Sequence, residues 1–346
     1  DFVPSRGLGD VYKRQVVTDQ ITELLSHPGA LEVLDFAEGR VQLVAMRAYL
    51  GGPLVGQALR FLSEHMPNID TRVAAIFRRG QPIIPTGDTV IETDDEVFFI
   101  AAREHITAVM GELRKAEKPY RRVIIAGGGN IGTRLANDTE DSYDVRIMEV
   151  NPERAQNLAD QLNQAVVIQG SATDRDLLLE ENIDQCDAFC AVTDDDEINV
   201  MSSLMAKRLG ARQVVTLIGK PAYVDLVQGS EIDVAISPQQ ATIGTLLSYV
   251  RRADVAKVHS LRRGAAEAME AIAHGDRSSS KVVGRRISEI KLPAGVTIGA
   301  IVRDDEVLIA HDDVIVASDD HVILFLVDKG QVGAVERLFQ VGLTFF

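Results

Sequence analysis

The chain has 346 residues, 46% of them apolar and 25% charged, and a net charge of −15. That length supports two or three domains with cores of their own. The acidity excludes nucleic acid, whose phosphates require a basic footprint, and direct adsorption to anionic lipid, which gathers Lys and Arg.

Residues 1–15, "DFVPSRGLGDVYKRQ", show no clear periodicity and stay unassigned, a tag, an artefact or a disordered tip. Residues 16–33 read as the remnant of a first Rossmann-type domain, matching its last helix, so the chain is expected to begin near the end of that domain. Residues 34–117 read as a small α+β unit. The strand "VQLVAMR" comes first, then a helix expected near Pro53, where proline suits a first helical turn. "RVAAIFR", a polar turn, a short strand and "EVFFIAA" follow, with Asp94 and Asp95 in the turn before the last strand. A closing helix is expected over "EHITAVMGELRKA", where Ile106, Val109, Met110 and Leu113 have helical spacing.

Residues 120–250 alternate strand and helix in the manner of a doubly wound parallel α/β sheet. The strands are "RVIIAG", "VRIMEV", "AVVIQG", "AFCAVT", "VVTLIG" and "VAISP". One helix opens with "NPER", where Asn151 caps and Pro152 fills the first turn. Residues 257–342 repeat the small α+β unit. At a constant offset of 225 residues, Ala75, Ile76, Arg78, Ile84, Asp88, Asp94, Asp95 and Val97 meet Ala300, Ile301, Arg303, Ile309, Asp313, Asp319, Asp320 and Val322. After a small shift "VGQAL" (55–59) matches "VGRRI" (283–287), and "ITELLS" (21–26) resembles "IGTLLS" (243–248). A period this long means duplicated domains, not a solenoid.

Within 120–250, Gly127, Gly129 and Gly132 satisfy G-x-G-x-x-G between a β-branched strand and a helix. The first glycine permits the tight turn, the second lets backbone approach a pyrophosphate, and the third permits close helix–sheet packing. The helix start at Asn130 and Ile131 offers free N–H groups to phosphate. Glu149 ends the second strand, where a carboxylate accepts from ribose hydroxyls and repels a 2′-phosphate, favouring NAD(H) over NADP(H). Arg154 leaves that preference open, since an arginine there serves equally as an ion-pair partner or a phosphate contact. Ser171, Ala172 and Asp174 in "QGSATD", and Thr193 and Asp194 in "AVTDDDEIN", end two further strands on the same crevice. The run Asp195, Asp196, Glu197 reads first as helix N-terminal charge. An empty or ATP-filled crevice is the competing reading.

All seven histidines (His27, His65, His105, His259, His274, His311 and His321) lie outside 120–250. No nucleophile motif or metal-ligand spacing appears. Cys186 and Cys190 read as core thiols of a reducing cytosol. A duplicated accessory unit fits ligand-linked assembly better than a substrate pocket. The sequence therefore favours a nucleotide sensor, not an enzyme, over an NAD-dependent oxidoreductase or a scaffold with a vestigial nucleotide fold.

The segments "MRAYLGGPLVG" (46–56), "IDTRVAAIFR" (69–78), "EKPYRRVIIAGGGNIG" (117–132), "AYVDLVQGSEIDVAISPQQATI" (222–243), "VHSLRRGAAEAMEAIAHGD" (258–276) and "AHDDVIVASDDHVILFL" (310–326) resemble the peripheral regulatory subunits of Trk potassium uptake systems, over essentially all of 16–346. That family carries tandem regulator-of-potassium-conductance domains. The resemblance implies a Rossmann-type NAD-binding domain flanked by two C-terminal regulatory (RCK-type) domains. It implies binding of NAD+ or NADH, with ATP or ADP in some relatives. It also implies a homo-oligomeric ring in the cytoplasm, held at the inner face of the plasma membrane by a potassium-conducting membrane subunit. The implied site is Gly127, Gly129, Asn130, Ile131, Gly132 and Glu149 with the "GSATD" loop. The family commonly has Asp after that loop's glycine, where this chain has Ser171.

Overall fold

A computed structural model describes residues 6–114, 118–227, 231–240, 255–261 and 266–341. The chain divides into two compact units: Asp1–Gly29 with Lys118–Thr242, and Ala30–Glu117 with Ile243–Phe346. Among the described residues no helix is long and apolar enough to cross a membrane.

Helix α1 (Arg6–Ser26) opens the first unit and buries Val17, Ile21, Leu24 and Leu25, a helical i, i+4, i+7 stripe. The second unit then begins. Strands β1 (Ala30–Phe36), β2 (Val41–Arg47), β3 (Thr71–Arg78), β4 (Gln81–Ile83) and β5 (Glu96–Ala102) form an antiparallel sheet of order β1-β2-β5-β3-β4. The short helices α2 (Leu62–His65) and α3 (Ile106–Met110) accompany it. The helix expected near Pro53 is absent; a string of turns leads to a 3-10 turn at Leu59–Phe61 and then to α2. Glycine explains the difference. Gly51 and Gly56 hold φ of +92° and +86°, and a Cβ on Gly52 would lie 2.2 Å from the Leu113 carbonyl oxygen. The closing helix expected over 104–116 is also shorter: a 3-10 turn at Arg103–His105, then α3, with 115–117 outside the described residues.

The chain returns to the first unit as β6 (Arg122–Ala126), α4 (Asn130–Thr139), β7 (Asp144–Glu149), α5 (Pro152–Gln161), β8 (Val166–Gln169), α6 (Arg175–Glu180), β9 (Ala188–Ala191), α7 (Asp196–Arg208), β10 (Gln213–Leu217), α8 (Pro221–Val227) and β11 (Val234–Ile236). The strands are parallel, in the order β11-β10-β9-β6-β7-β8. Burial on both faces explains the near-continuous apolar runs of the inner strands β6, β9 and β10. The order reverses between β6 and β9, which opens a crevice at the carboxyl ends of those two strands. Helix α1 packs along α4. Cys186 and Cys190 are buried free thiols, and burial pushes Cys186 up to about 12 and Cys190 upward as well.

The second unit resumes with β12 (Val255–Leu261), β13 (Ala266–Ile272), β14 (Val296–Arg303), β15 (Glu306–Ile309) and β16 (His321–Leu326), in the order β12-β13-β16-β14-β15, and closes with α9 (Val332–Phe339). This is the first sheet again, strand for strand. The two sheets bury one face each against the other: Phe36, Phe77 and Phe98 share a core with Ala268, Val302, Ile323 and Phe325. The opposite face of the later sheet, with Val322, Leu324 and Leu326, packs on Val332, Val335 and Phe339 of α9. In β16 the two sets alternate residue by residue, as the pleat requires.

Candidate functional site

Strand β6 ends at Ala126 and the chain turns through three glycines into α4. Each glycine meets a different constraint. Gly127 holds φ of +110°, and a Cβ there would lie 2.9 Å from both the nitrogen and Cγ2 of Thr193. Gly128 is pressed from the other side: its Cβ would lie 2.4 Å from Leu158 Cδ1 and 2.8 Å from Glu149 Oε2. On the first turn of α4, a Cβ on Gly132 would sit 1.9 Å from the Gly127 carbonyl oxygen. Gly129 differs from all three. Its φ and ψ of −74° and −171° suit any residue, and nothing lies within 4 Å of the space a side chain would take.

Gly129 is the N-cap of α4 and supplies no capping side chain. The neighbouring helices of the same sheet are capped. The Asn151 Oδ1 accepts from Arg154 N–H at the start of α5, and Asp174 accepts from Asp176 and Leu177 N–H at α6. Asp195 accepts from Ile198 N–H at α7. An α-helix leaves its first amides without intrahelical partners. At α4 the amides of Asn130 and Ile131 therefore lie beside the open space at Gly129.

Glu149, buried at the end of β7, fastens this loop. Its Oε2 accepts from Gly128 N–H at 2.9 Å and its Oε1 from Asn151 N–H at 2.7 Å. A carboxylate has about four lone-pair sites, so two remain for other donors. Arg154 Nη1 lies 3.5 Å from Glu149 Oε2, but its side chain is 57% exposed, and an ion pair in that setting contributes little. The next strand end is tied into itself. Ser171 Oγ lies 2.8 Å from Thr173 Oγ1, Ala172 is buried, and Asp174 is occupied at α6.

Across the crevice, Thr193 and exposed Asp194 follow β9. The three acids after them are fasteners. Asp195 caps α7, and Asp196 accepts from the amides of Gly219 and Lys220, both at 2.8 Å. Glu197 Oε1 accepts from the Tyr223 hydroxyl at 2.6 Å and from Lys220 Nζ at 3.0 Å, which together hold its carboxyl down at about 2. Sequence reasoning overlooked three parts of the site: Gly128 as a packing glycine, the backbone duty of Glu149, and Asn199, whose buried amide pairs with Thr193. The signal for Asn199 was a polar residue on a helix position that points inward, four residues after the cap at Asp195.

Residues 123–238 match the TrkA-N domain, and residues 43–114 and 277–340 each match the TrkA-C domain. The chain is 68% identical over 332 residues to the Trk system potassium uptake protein TrkA of Halomonas elongata, covering 96% of this chain and 73% of that protein. It is 61% identical over 326 residues to the corresponding protein of Vibrio alginolyticus, covering 94% and 71%. In three dimensions it is similar to the GsuK RCK domain, with a TM-score of 0.51, 18% identity, and coverage of 94% of this chain and 69% of that one. A GsuK channel bound to NAD gives a TM-score of 0.50 at 18% identity, covering 94% and 57%; these two likenesses speak to fold. Two TrkA-C domains around one TrkA-N domain, with such identity along nearly the whole chain, mean that the chain belongs to the TrkA family, the non-enzymatic regulatory component of Trk potassium uptake systems.

Proposed function

We propose that the crevice between β6 and β9 binds NAD(H), with ADP or ATP as competing ligands, and that its occupancy sets potassium flux through a Trk membrane subunit. The carrying observation is the pairing of an uncapped α4 with open space at Gly129. Three glycines of the turn are explained by contacts inside the chain; the fourth is explained by a ligand whose pyrophosphate occupies that space. In this reading Asn130, Ile131 and Gly132 present amides to phosphate, and Glu149 uses its remaining lone pairs on ribose hydroxyls. Arg154, Ser171, Ala172, Thr193 and Asp194 line the two ends. A fold relative described as bound to NAD supports the ligand class.

The regulatory consequence is a coupling. A ligand shifts an assembly between states only through unequal affinity for them. The working assembly is a homo-oligomeric ring on the cytoplasmic face of the membrane, attached through the conducting subunit. Gly129→Ala tests the site. Its backbone angles suit alanine and its surroundings are empty, so the fold should lose no more than about 1 kcal/mol, the cost of a poorer N-cap. Affinity for NAD+ and NADH by calorimetry should fall about tenfold or more. Unchanged affinity would remove the glycine loop from the account.

A further inference from the structure

We infer that Asn199 is the positioning residue of the crevice, setting its floor by holding Thr193 against Gly127 and tying both to the end of β10. The inference rests on the nucleotide reading for its function and on hydrogen-bond geometry for its mechanism.

Asn199 lies in the first turns of α7 and is completely buried. Its Oδ1 accepts from Thr193 N–H at 2.9 Å and from the Thr193 hydroxyl at 2.6 Å. Its Nδ2 donates to the carbonyls of Thr193 and Leu217, both at 3.0 Å. A carboxamide has two acceptor and two donor sites, and here all four are used inside the protein. Helix formation does not ask for asparagine at this position, since its side chain competes with the helix backbone. Three of its four partners belong to Thr193, beyond the end of β9, and the fourth is the carbonyl of Leu217, the last residue of β10. The β6–β9 and β9–β10 pairings stop at Ala191, so Thr193 has no ladder to hold it.

Thr193 in turn sets the glycine loop. Its nitrogen, Cα and Cγ2 stand within 3.0 Å of the place a Gly127 Cβ would take, so the two backbones are in direct contact. The Gly127 carbonyl rests on Gly132, the first turn of α4. A displacement of Thr193 is therefore carried to the amides that would hold phosphate. The second arm, through Leu217, reaches the stretch whose Gly219 and Lys220 amides are gripped by Asp196 of the same helix. One helix thus fastens the ends of β9 and β10 on one side of the crevice, and movement of α7 and a change in the crevice floor become one event.

The test compares Asn199→Asp with Thr216→Val. The first keeps the volume and both acceptors but loses both donors and sets a carboxylate against two carbonyls. The second removes another buried hydrogen bond between α7 and β10, Thr216 Oγ1 to Ser203 Oγ at 2.7 Å, away from the loop. Hydrogen exchange over residues 124–132 and 189–196 is measured on each full chain without nucleotide, followed by calorimetric titration with NAD+ and NADH. Asn199→Asp should speed exchange in both segments and weaken binding about tenfold or more. Thr216→Val should leave both near wild type even where it lowers the melting temperature as much. Should Asn199→Asp not fold, Thr193→Val removes the hydroxyl arm, together with the bond that hydroxyl accepts from Asp195 N–H at 3.2 Å, and should give the same pattern with a several-fold loss. Equal effects of the two sites, scaled to lost stability, would overturn the positioning role. So would unchanged exchange in Asn199→Asp. If the wild type binds no nucleotide but the exchange contrast persists, the positioning stands and the nucleotide reading fails.

Discussion

The two regulatory copies in the second unit, 30–114 and 255–341, are close to a controlled experiment in one chain. Their backbones agree in irregular detail. Both first strands slip register near the same place, Ala30/Glu32 and Val255/Lys257, and both third strands slip at Val73/Ala75 and Ile298/Ala300. Left-handed φ recurs at Asp94 and Asp319, 69° and 66°, and at Arg79 and Asp304, 50° and 51°. Each copy has a bidentate clasp over this turn. Arg78 grips Asp95 at 2.9 and 2.8 Å and reaches the Val90 carbonyl; Arg303 grips Asp320 at 2.8 and 2.9 Å and reaches the Ile315 carbonyl. Both aspartates are fully buried and also accept a backbone amide, from Glu92 and Ala317. What differs lies at the joint between the copies. Leu34 of β1 corresponds to His259 of β12, a half-buried imidazole edge-on to Phe36, whose Nε2 is itself buried and lacks a hydrogen-bond partner. The copies thus share what the turn demands and diverge where they face each other.

The largest expected effect breaks that joint. Phe98 and Phe325 are buried with ring centroids 5.5 Å apart, one from each copy. Phe98→Ala and Phe325→Ala should each cost about 3–5 kcal/mol in the unfolding of this unit. The double variant should show a coupling of about 0.5–1.5 kcal/mol, because the second truncation has less contact left to lose. Strict additivity would mean that the copies do not share a core.

Next comes the clasp. Arg78→Met and Arg303→Met each strand a buried carboxylate, at a cost of about 3 kcal/mol by urea unfolding. The two should match within about 1 kcal/mol. Arg78 has an additional partner in Glu92, where the second copy has Ala317, but that glutamate is 53% exposed and contributes little. A large inequality would show that the copies use the turn differently.

The smallest effect at neutral pH sharpens the joint. Burial, and then the Lys257 charge, push His259 down to about 4 from its ordinary 6.5, against the pull of the Asp35 backbone. The folded protein keeps this imidazole neutral, so the unfolded chain binds the extra proton first. Stability therefore falls as pH drops from about 6.5 to about 4, by at most about 3 kcal/mol, and levels off below. His259→Leu, which installs the residue of the first copy, should remove that part of the acid sensitivity and change stability near pH 8 by no more than about 1 kcal/mol. An unaltered slope between pH 6.5 and 4 would place the proton uptake elsewhere.

The sequence by itself determined the repeat, the alternation of strand and helix, and the glycine turn into α4, because these rest on local rules. Period-two and period-3.6 burial, the φ that glycine permits, and the cap at Asn151 are each set within a few residues. The nine residues from "VIIAG" to "GGNI" announced a phosphate loop without any neighbour in view. The run "GGPLVG" misled for the complementary reason: Pro53 suits a helix start locally, but Gly52 is needed where Leu113 passes within contact distance, 61 positions on. Only the tertiary structure decided which face of "HVILFL" meets α9 and which meets the other copy, since an unbroken apolar run states that both faces are buried and not by what. It alone separated Gly129, which faces open space, from three glycines that packing requires. It also turned Asn199 from one polar letter in an acidic run into the link between two strand ends, because hydrogen-bond partners distant in sequence exist only once the sheet has brought them together.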